Sequence, residues 1–119
     1  MTAKELTKEI AKACAEKKGK DILMIRVEDK TTLCSYMVIA SASNVTQVKA
    51  ISENVEEKIE KNLSLMPTRT DGKSGGKWAV IDYGDVIVHI FEEVTRRFYN
   101  LERLWQENCQ AEAYVEESI

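Results

Sequence analysis

Two aspartates, Asp82 and Asp85, have the residue type and the spacing that could bind a metal ion. They flank Tyr83 and Gly84, and a divalent cation binds through several oxygen ligands of this kind. Residues three apart across a tight turn nevertheless point in different directions. The simpler interpretation is that the aspartates cap a turn in which Gly84 supplies an unusual backbone angle. The pattern therefore favours turn chemistry over a metal site.

His89 is the only histidine of the chain, and it lies inside the otherwise apolar run from Val86 to Phe91. It could act as a general base, but no serine or cysteine lies in a nucleophile motif and no second histidine exists. A lone histidine in such a run is more often a structural or interface residue. We therefore predict no catalytic residue, no bound metal and no cofactor.

The cysteines are odd in number and far apart, and none belongs to a C-x-x-C pair: Cys14, Cys34 and Cys109. This spacing disfavours both a disulfide framework and a zinc site. We expect three ordinary free thiols.

Aromatic residues are concentrated between positions 78 and 105, although the chain is only 7% aromatic. Phe98, Leu101 and Trp105 form one stripe at helical spacing, which we expect to pack on a sheet. Tyr99 and Glu102 would then point elsewhere. The stripe predicts a short amphipathic helix that carries side chains on two different faces.

Trp78 begins a predicted strand directly after a glycine-rich loop. Its ring is therefore expected near an end of the sheet, where a partner could reach it. Large amphipathic rings in such places anchor many protein interfaces, but the same ring could also belong to the core. The sequence leaves both interpretations open.

The elements that must position these residues begin with a capping box at Thr2 and Glu5, which predicts a helix ending near Gly19. Two short apolar runs then predict strands in a hairpin-like connection, at 21–27 and 33–40. Apolar residues stepping by three or four predict the longest helix, from Asn44 to Leu63. Strands at 77–82 and 86–91 follow, joined at Tyr83 and Gly84.

The order of these elements predicts an α/β (α+β) fold, with a mixed sheet of about four to five strands packed by helices. The link from strand 33–40 through the long helix to strand 77–82 would be a right-handed crossover if those strands are parallel. Residues 1–105 should form one domain. Residues 64–76 read as a mobile loop, and 106–119 as an acidic extension that frays.

The composition of the chain limits its domain count, its location and the class of its partner. The chain has 119 residues, 44% of them hydrophobic, which suits one globular domain. No apolar run reaches the length that spanning a bilayer needs, and the N-terminus lacks the pattern of a targeting peptide, so we expect a cytoplasmic protein. The net charge of -3 disfavours a phosphate backbone as the main partner. Contact with a partner protein is the better expectation.

The pattern W-x-V-x-D-Y-G-D-V-x-V-H-x-F followed by F-Y-x-L-E-R-L-W, within 77–106, resembles the signature of the ribosome silencing factor (Iojap-like) family. The block 36–41 and the helix from Asn44 resemble that family's other recognisable part. Ser35 stands where the family commonly has Asp, and Met37 replaces a Phe. The resemblance implies a nucleotidyltransferase-like fold, but the Gly-Ser turn and D-x-D/E strand of such enzymes are not found here.

The resemblance also implies a function. A family member would bind ribosomal protein fourteen of the large subunit and sterically block association with the small subunit, without being an enzyme. The partner contacts it points to are Trp78, His89, Tyr99, Leu101 and Glu102. A nucleotide-processing enzyme on the same fold and a structural subunit of a complex remain alternatives, and the sequence does not choose between a monomer and a homodimer.

Overall fold

The computed structural model describes residues 2–72, 76–106 and 110–114 of the chain. These ranges contain the predicted helices and strands together with two further short strands, and the predicted last helix is divided in two. Their order is α1 (Ala3–Glu16), β1 (Lys20–Arg26), β2 (Tyr36–Ala42), α2 (Val45–Leu63), β3 (Arg69–Asp71), β4 (Trp78–Asp82), β5 (Val86–Glu92), α3 (Glu93–Tyr99), α4 (Leu101–Gln106) and β6 (Gln110–Ala113).

The strands of the described residues form one mixed sheet in the order β3-β4-β5-β2-β1-β6. β1 and β2 pair antiparallel, as the hairpin-like connection predicts, and β4 pairs antiparallel with β5. The parallel partner of β2 is β5 and not β4. The condition for the predicted crossover into β4 is therefore not met, because β4 runs antiparallel to β2 on the far side of β5. The mixed sheet packed by helices is confirmed.

Helices α1 and α2 cover one face of the sheet and enclose the larger core. Four residues of the predicted α2 stripe are fully buried there: Val48, Ile51, Val55 and Ile59. Alternate side chains of the central strands reach the opposite face, where a smaller cluster lies against Leu101 of α4. This second face is the one on which α3 and α4 place the residues singled out by the sequence.

Both predicted helix starts are confirmed. Thr2 and Glu5 form the capping box of α1, and Asn44 accepts from the backbone N–H of Gln47 at the start of α2. The end of α1 differs in detail. Lys18 takes the left-handed conformation, with φ of 64°, while Gly19 donates its N–H to the carbonyl of Cys14 at 2.9 Å.

Two stretches predicted to be irregular contain short edge strands instead. β3 lies in the predicted loop 64–76 and pairs with β4, and β6 lies in the predicted fraying tail and pairs with β1. Tyr114, just after β6, packs against the larger core. The prediction of fraying is therefore wrong for 110–114, and the prediction of an unstructured loop is wrong for 69–71. Residues 73–75 and 115–119 lie outside the described ranges.

The cysteines Cys14 and Cys34 are buried free thiols, and burial raises the pKa of the Cys14 thiol to about 12. Cys109 lies outside the described residues. Within those residues, no helix is both long enough and apolar enough to cross a membrane.

Candidate functional site

An aromatic cluster occupies the second face of the sheet over β4 and β5, and consists of Trp78, His89, Phe91 and Tyr99. Antiparallel pairing sets Trp78 opposite Phe91, so the two rings share a face and stack with centroids 4.8 Å apart. Tyr99, the last residue of α3, places its ring 5.1 Å from that of Trp78. Phe91 is fully buried, Trp78 is half-buried and Tyr99 is 54% exposed. The aromatic cluster therefore runs from the core out to solvent.

His89 lies within the aromatic cluster and is bound to Trp78. The indole Nε1–H of Trp78 donates to Nδ1 of His89 at 3.1 Å. Because Nδ1 is the acceptor, the neutral imidazole carries its proton on Nε2, a buried atom without a hydrogen-bond partner in the described residues. Burial lowers the pKa of His89 to about 4. The imidazole is therefore neutral near pH 7 and offers almost no surface to a partner.

A buried ion pair fixes the orientation of α4. Arg96 of α3 donates from Nε to the carboxylate of Glu102 at 2.8 Å. Its Nη1 donates to the carbonyl of Asp21 at 2.7 Å and to the hydroxyl of Ser41 at 2.8 Å. The guanidinium thus joins α3, α4, β1 and β2 through one side chain.

The backbone conformation of Asn100 allows Arg96 and Glu102 to meet. Asn100 takes the left-handed conformation, with φ of 48°, and ends α3 by donating its N–H to the carbonyl of Arg96 at 2.7 Å. The chain then changes direction before α4 begins at Leu101. This break brings Glu102 back to Arg96, although residues six apart do not face each other on one continuous helix.

The break also corrects the predicted stripe. Phe98 is 81% exposed and does not pack on the sheet, whereas Tyr99, expected to point elsewhere, contacts Trp78. Leu101 packs against the smaller core as expected. The side chain of Trp105 lies outside the described residues. Counting at helical spacing across position 100 assumed one continuous helix, and the left-handed residue there removes that assumption.

The five predicted partner residues fall into two groups. Trp78, Tyr99 and Leu101 are partly exposed and lie on one face of the molecule. His89 and Glu102 are engaged by Trp78 and Arg96 respectively. Arg96 itself was missed, because its spacing from Glu102 carries no signal in the sequence.

The turn between β4 and β5 has the predicted cap at Asp82 and the predicted unusual backbone angle at Gly84, but within the described residues no such cap is seen for the side chain of Asp85. The carboxylate of Asp82 accepts from the backbone N–H of Gly84 at 2.7 Å, and Gly84 has φ of 87°. Asp85 contributes its carbonyl, which accepts from the N–H of Ser35 at 2.7 Å. Asp82 thus caps the turn. The described ranges contain no group of three or more His, Cys, Asp or Glu side chains arranged to hold a metal ion.

Comparison with known proteins identifies several relatives from one family. A sequence model of the family "Ribosomal silencing factor during starvation" matches residues 1–118. The chain is 32% identical to "Ribosomal silencing factor RsfS" of Bacillus subtilis over 105 residues, which cover 88% of each protein. It is 35% identical to "Protein Iojap, chloroplastic" of Zea mays over 96 residues, 81% of this chain and 41% of that protein.

Solved structures agree with the sequence relatives. A crystal structure of a protein from Chromobacterium violaceum superposes with a TM-score of 0.85 at 31% identity, covering 89% of this chain and 88% of the other. A second, from Bacillus halodurans, superposes with a TM-score of 0.75 at 28% identity, covering 86% and 94%. The resemblance that the residues of 77–106 suggest is therefore confirmed, and the chain belongs to the ribosomal silencing factor (RsfS) family.

Proposed function

We propose that this protein binds ribosomal protein fourteen of the large ribosomal subunit in the cytoplasm, sterically prevents the small subunit from joining, and so represses translation. Membership of a family of ribosomal silencing factors supports the general role. The observation that carries the proposed site is the aromatic cluster, whose outer rings stay accessible while its inner rings are fixed in the core.

The exposure and chemistry of the aromatic cluster suit a docking surface. Trp78 and Tyr99 offer large rings with few rotatable bonds, so that ordering them on binding costs little conformational entropy. Interfaces concentrate their binding energy in a few such anchors near the centre of the contact. Leu101 extends the apolar surface along α4. These three residues are the direct contacts of the proposal.

The charge of the chain favours a protein over RNA as the surface that is met. With a net charge of -3, the chain is repelled by a phosphate backbone and attracted by a basic protein surface. Little direct contact with nucleic acid is therefore part of the proposal.

The proposed mechanism is occlusion and involves no covalent step. Asp82 is the first candidate for a catalytic carboxylate, and its Oδ1 accepts from the N–H of Gly84, as expected of a residue that caps a turn. A nucleotide-processing enzyme on the same fold would instead show turnover that does not depend on ribosomes. Assays for turnover with and without ribosomes therefore distinguish the two functions, whatever the oligomeric state.

The experiment uses the full chain with purified ribosomal subunits. Co-sedimentation measures binding to each subunit, and light scattering follows the joining of the two subunits. We expect enrichment with large subunits and inhibited joining, and about tenfold weaker binding for Tyr99→Ala, because truncating an interface anchor costs roughly 1 to 2 kcal/mol or more.

Leu33→Ala is the matched control, because Leu33 is also an exposed apolar residue but lies outside the aromatic cluster. We expect this variant to bind like the wild type. Equal losses for the two variants would contradict the proposed surface, and joining at an undiminished rate in the presence of saturating protein would contradict occlusion.

A further inference from the structure

The hydrogen bond between Trp78 and His89 lies directly behind the proposed docking surface. His89 pairs across the sheet with Val80 of β4 and Ile39 of β2. The centroid of its ring lies 5.8 Å from that of Trp78 and 6.2 Å from that of Phe91. The residue is only 8% exposed. A partner seated on the surface would therefore meet the indole of Trp78 and not the imidazole behind it.

We propose that His89 is a positioning residue: its Nδ1 holds the Trp78 indole in the orientation that the ribosomal partner recognises. This inference rests on the proposed function and deepens it, because it replaces a direct contact of His89 with an action through Trp78. Stacking on Phe91 fixes the plane of the indole, but stacked rings can slide and rotate. The bond from Nε1–H to Nδ1, at 3.1 Å, selects one rotation.

The energetic benefit is preorganisation. A half-buried indole that already has one orientation loses less freedom when the partner docks, and this saving appears as affinity. The imidazole is suited to this role because one ring nitrogen accepts a hydrogen bond while the rest of the ring packs as an aromatic surface. Without an acceptor at position 89, the indole N–H would be left without its present partner at the edge of the core.

Within the described residues, three charged side chains on this face have hydrogen-bond partners other than His89. On the same face, Asp82 of β4 is engaged by the N–H of Gly84, and Arg96 of α3 is paired with Glu102 of α4. The lowered pKa of His89 has burial as its cause. Protonation of Nδ1 at acid pH would remove the acceptor, so the bond is intact at neutral pH and lost in acid.

The test compares two substitutions of nearly the same shape. His89→Asn keeps an acceptor oxygen close to the position of Nδ1, whereas His89→Leu has a similar branched side chain without an acceptor. We expect His89→Leu to bind large subunits about fivefold more weakly than His89→Asn, since a hydrogen bond contributes on the order of 1 kcal/mol. In a Trp78→Phe background, which keeps a stacking ring but lacks the donor, the two substitutions should bind within about twofold of each other.

A second readout does not involve the ribosome. In ¹⁵N-labelled full chain, the Nε1–H resonance of Trp78 is identified by its absence from Trp78→Phe, and its exchange with solvent is measured at neutral pH. We expect exchange at least about tenfold faster in His89→Leu than in His89→Asn.

The outcomes separate cleanly. A fivefold difference that persists in the Trp78→Phe background would show that residue 89 touches the partner directly, and would overturn the positioning role. Equal indole exchange in the two variants would overturn it as well. Failure of the wild type to bind large subunits would instead refute the proposed function, while the exchange comparison would still report whether His89 holds Trp78.

Discussion

Replacing Glu102 by Gln tests whether the ion pair with Arg96 holds α4 in place. The two side chains are only 8% and 17% exposed, so the charges are largely removed from water. Glutamine keeps an oxygen that can accept from Nε of Arg96 but removes the negative charge. Within the described residues, the acceptors of the guanidinium are then all neutral: the glutamine oxygen, the carbonyl of Asp21 and the hydroxyl of Ser41. Leaving a buried charge uncompensated costs about 3 kcal/mol or more.

That cost is large for a chain of this size. Unfolding of 119 residues carries an entropy of about 0.25 kcal/mol/K near the midpoint, so a loss of about 3 kcal/mol lowers the thermal midpoint by roughly 12 °C. The assay is thermal and urea unfolding of both proteins at pH 7. Because the pair is buried, we expect the loss to change little between low and high salt.

Glu93→Gln is the matched control for this substitution. Glu93 forms an ion pair with Lys20 at 3.3 Å, but these side chains are 36% and 56% exposed, and an exposed pair contributes about 0 to 1 kcal/mol. We expect a shift of at most about 4 °C. If Glu102→Gln is no more destabilising than Glu93→Gln, the structural role assigned to the ion pair is refuted. A near-native midpoint combined with lost subunit binding would make Glu102 a direct partner contact.

Three further predictions concern the sheet and its turn. Trp78→Ala should lower the free energy of unfolding by about 2 kcal/mol, because the ring is half-buried, and weaken subunit binding more than about tenfold; urea unfolding and light scattering measure the two effects, and unchanged binding would return Trp78 to the core alone. The pKa of His89 is 6.5 in the unfolded chain and about 4 in the folded protein, so between these pH values the imidazole is protonated only in the unfolded state. The free energy of unfolding should therefore fall by about 3 kcal/mol as the pH is lowered through this window. His89→Asn should lack that slope in urea unfolding at each pH, and an unchanged slope would show that other groups cause it. With nucleoside triphosphates and divalent metal, we expect no turnover by the wild type that Asp82→Asn or Asp85→Asn abolishes. Product that forms with the wild type and is lost in either variant would contradict the non-enzymatic proposal.

The parts of the fold that could be predicted are those specified by neighbouring residues. The capping box at Thr2 and the N-cap at Asn44 are local hydrogen bonds, and the apolar stripe of α2 follows from helical spacing alone. The turn at Gly84 is equally local. Each of these features depends on residues at most a few positions apart, which is why spacing in the sequence is enough to find them.

The parts that could not be predicted depend on distant partners. β6 consists of Gln, Ala, Glu and Ala, without a β-branched or aromatic residue, and it becomes a strand because β1 offers it an open edge. The choice of β5 over β4 as the parallel neighbour of β2 is likewise made by the whole sheet. Phe98 was misplaced because a single left-handed residue, Asn100, redirects the chain.

In the candidate site, too, the residue types could be predicted from the sequence, whereas their roles depend on contacts between distant residues. A family resemblance selects residue types at given positions, but a residue that touches the partner and a residue that holds the one touching it both contribute to the same binding free energy. Only geometry separates them. Trp78, Tyr99 and Leu101 present apolar surface, whereas His89 accepts the indole N–H of Trp78 and one carboxylate oxygen of Glu102 accepts from Nε of Arg96. We propose that His89 and Glu102 act from behind the proposed docking surface, His89 by orienting a ring and Glu102 by fixing the helix that carries Leu101. Substitutions at these positions should therefore change affinity together with indole exchange or stability, while substitution of Tyr99 should change affinity alone.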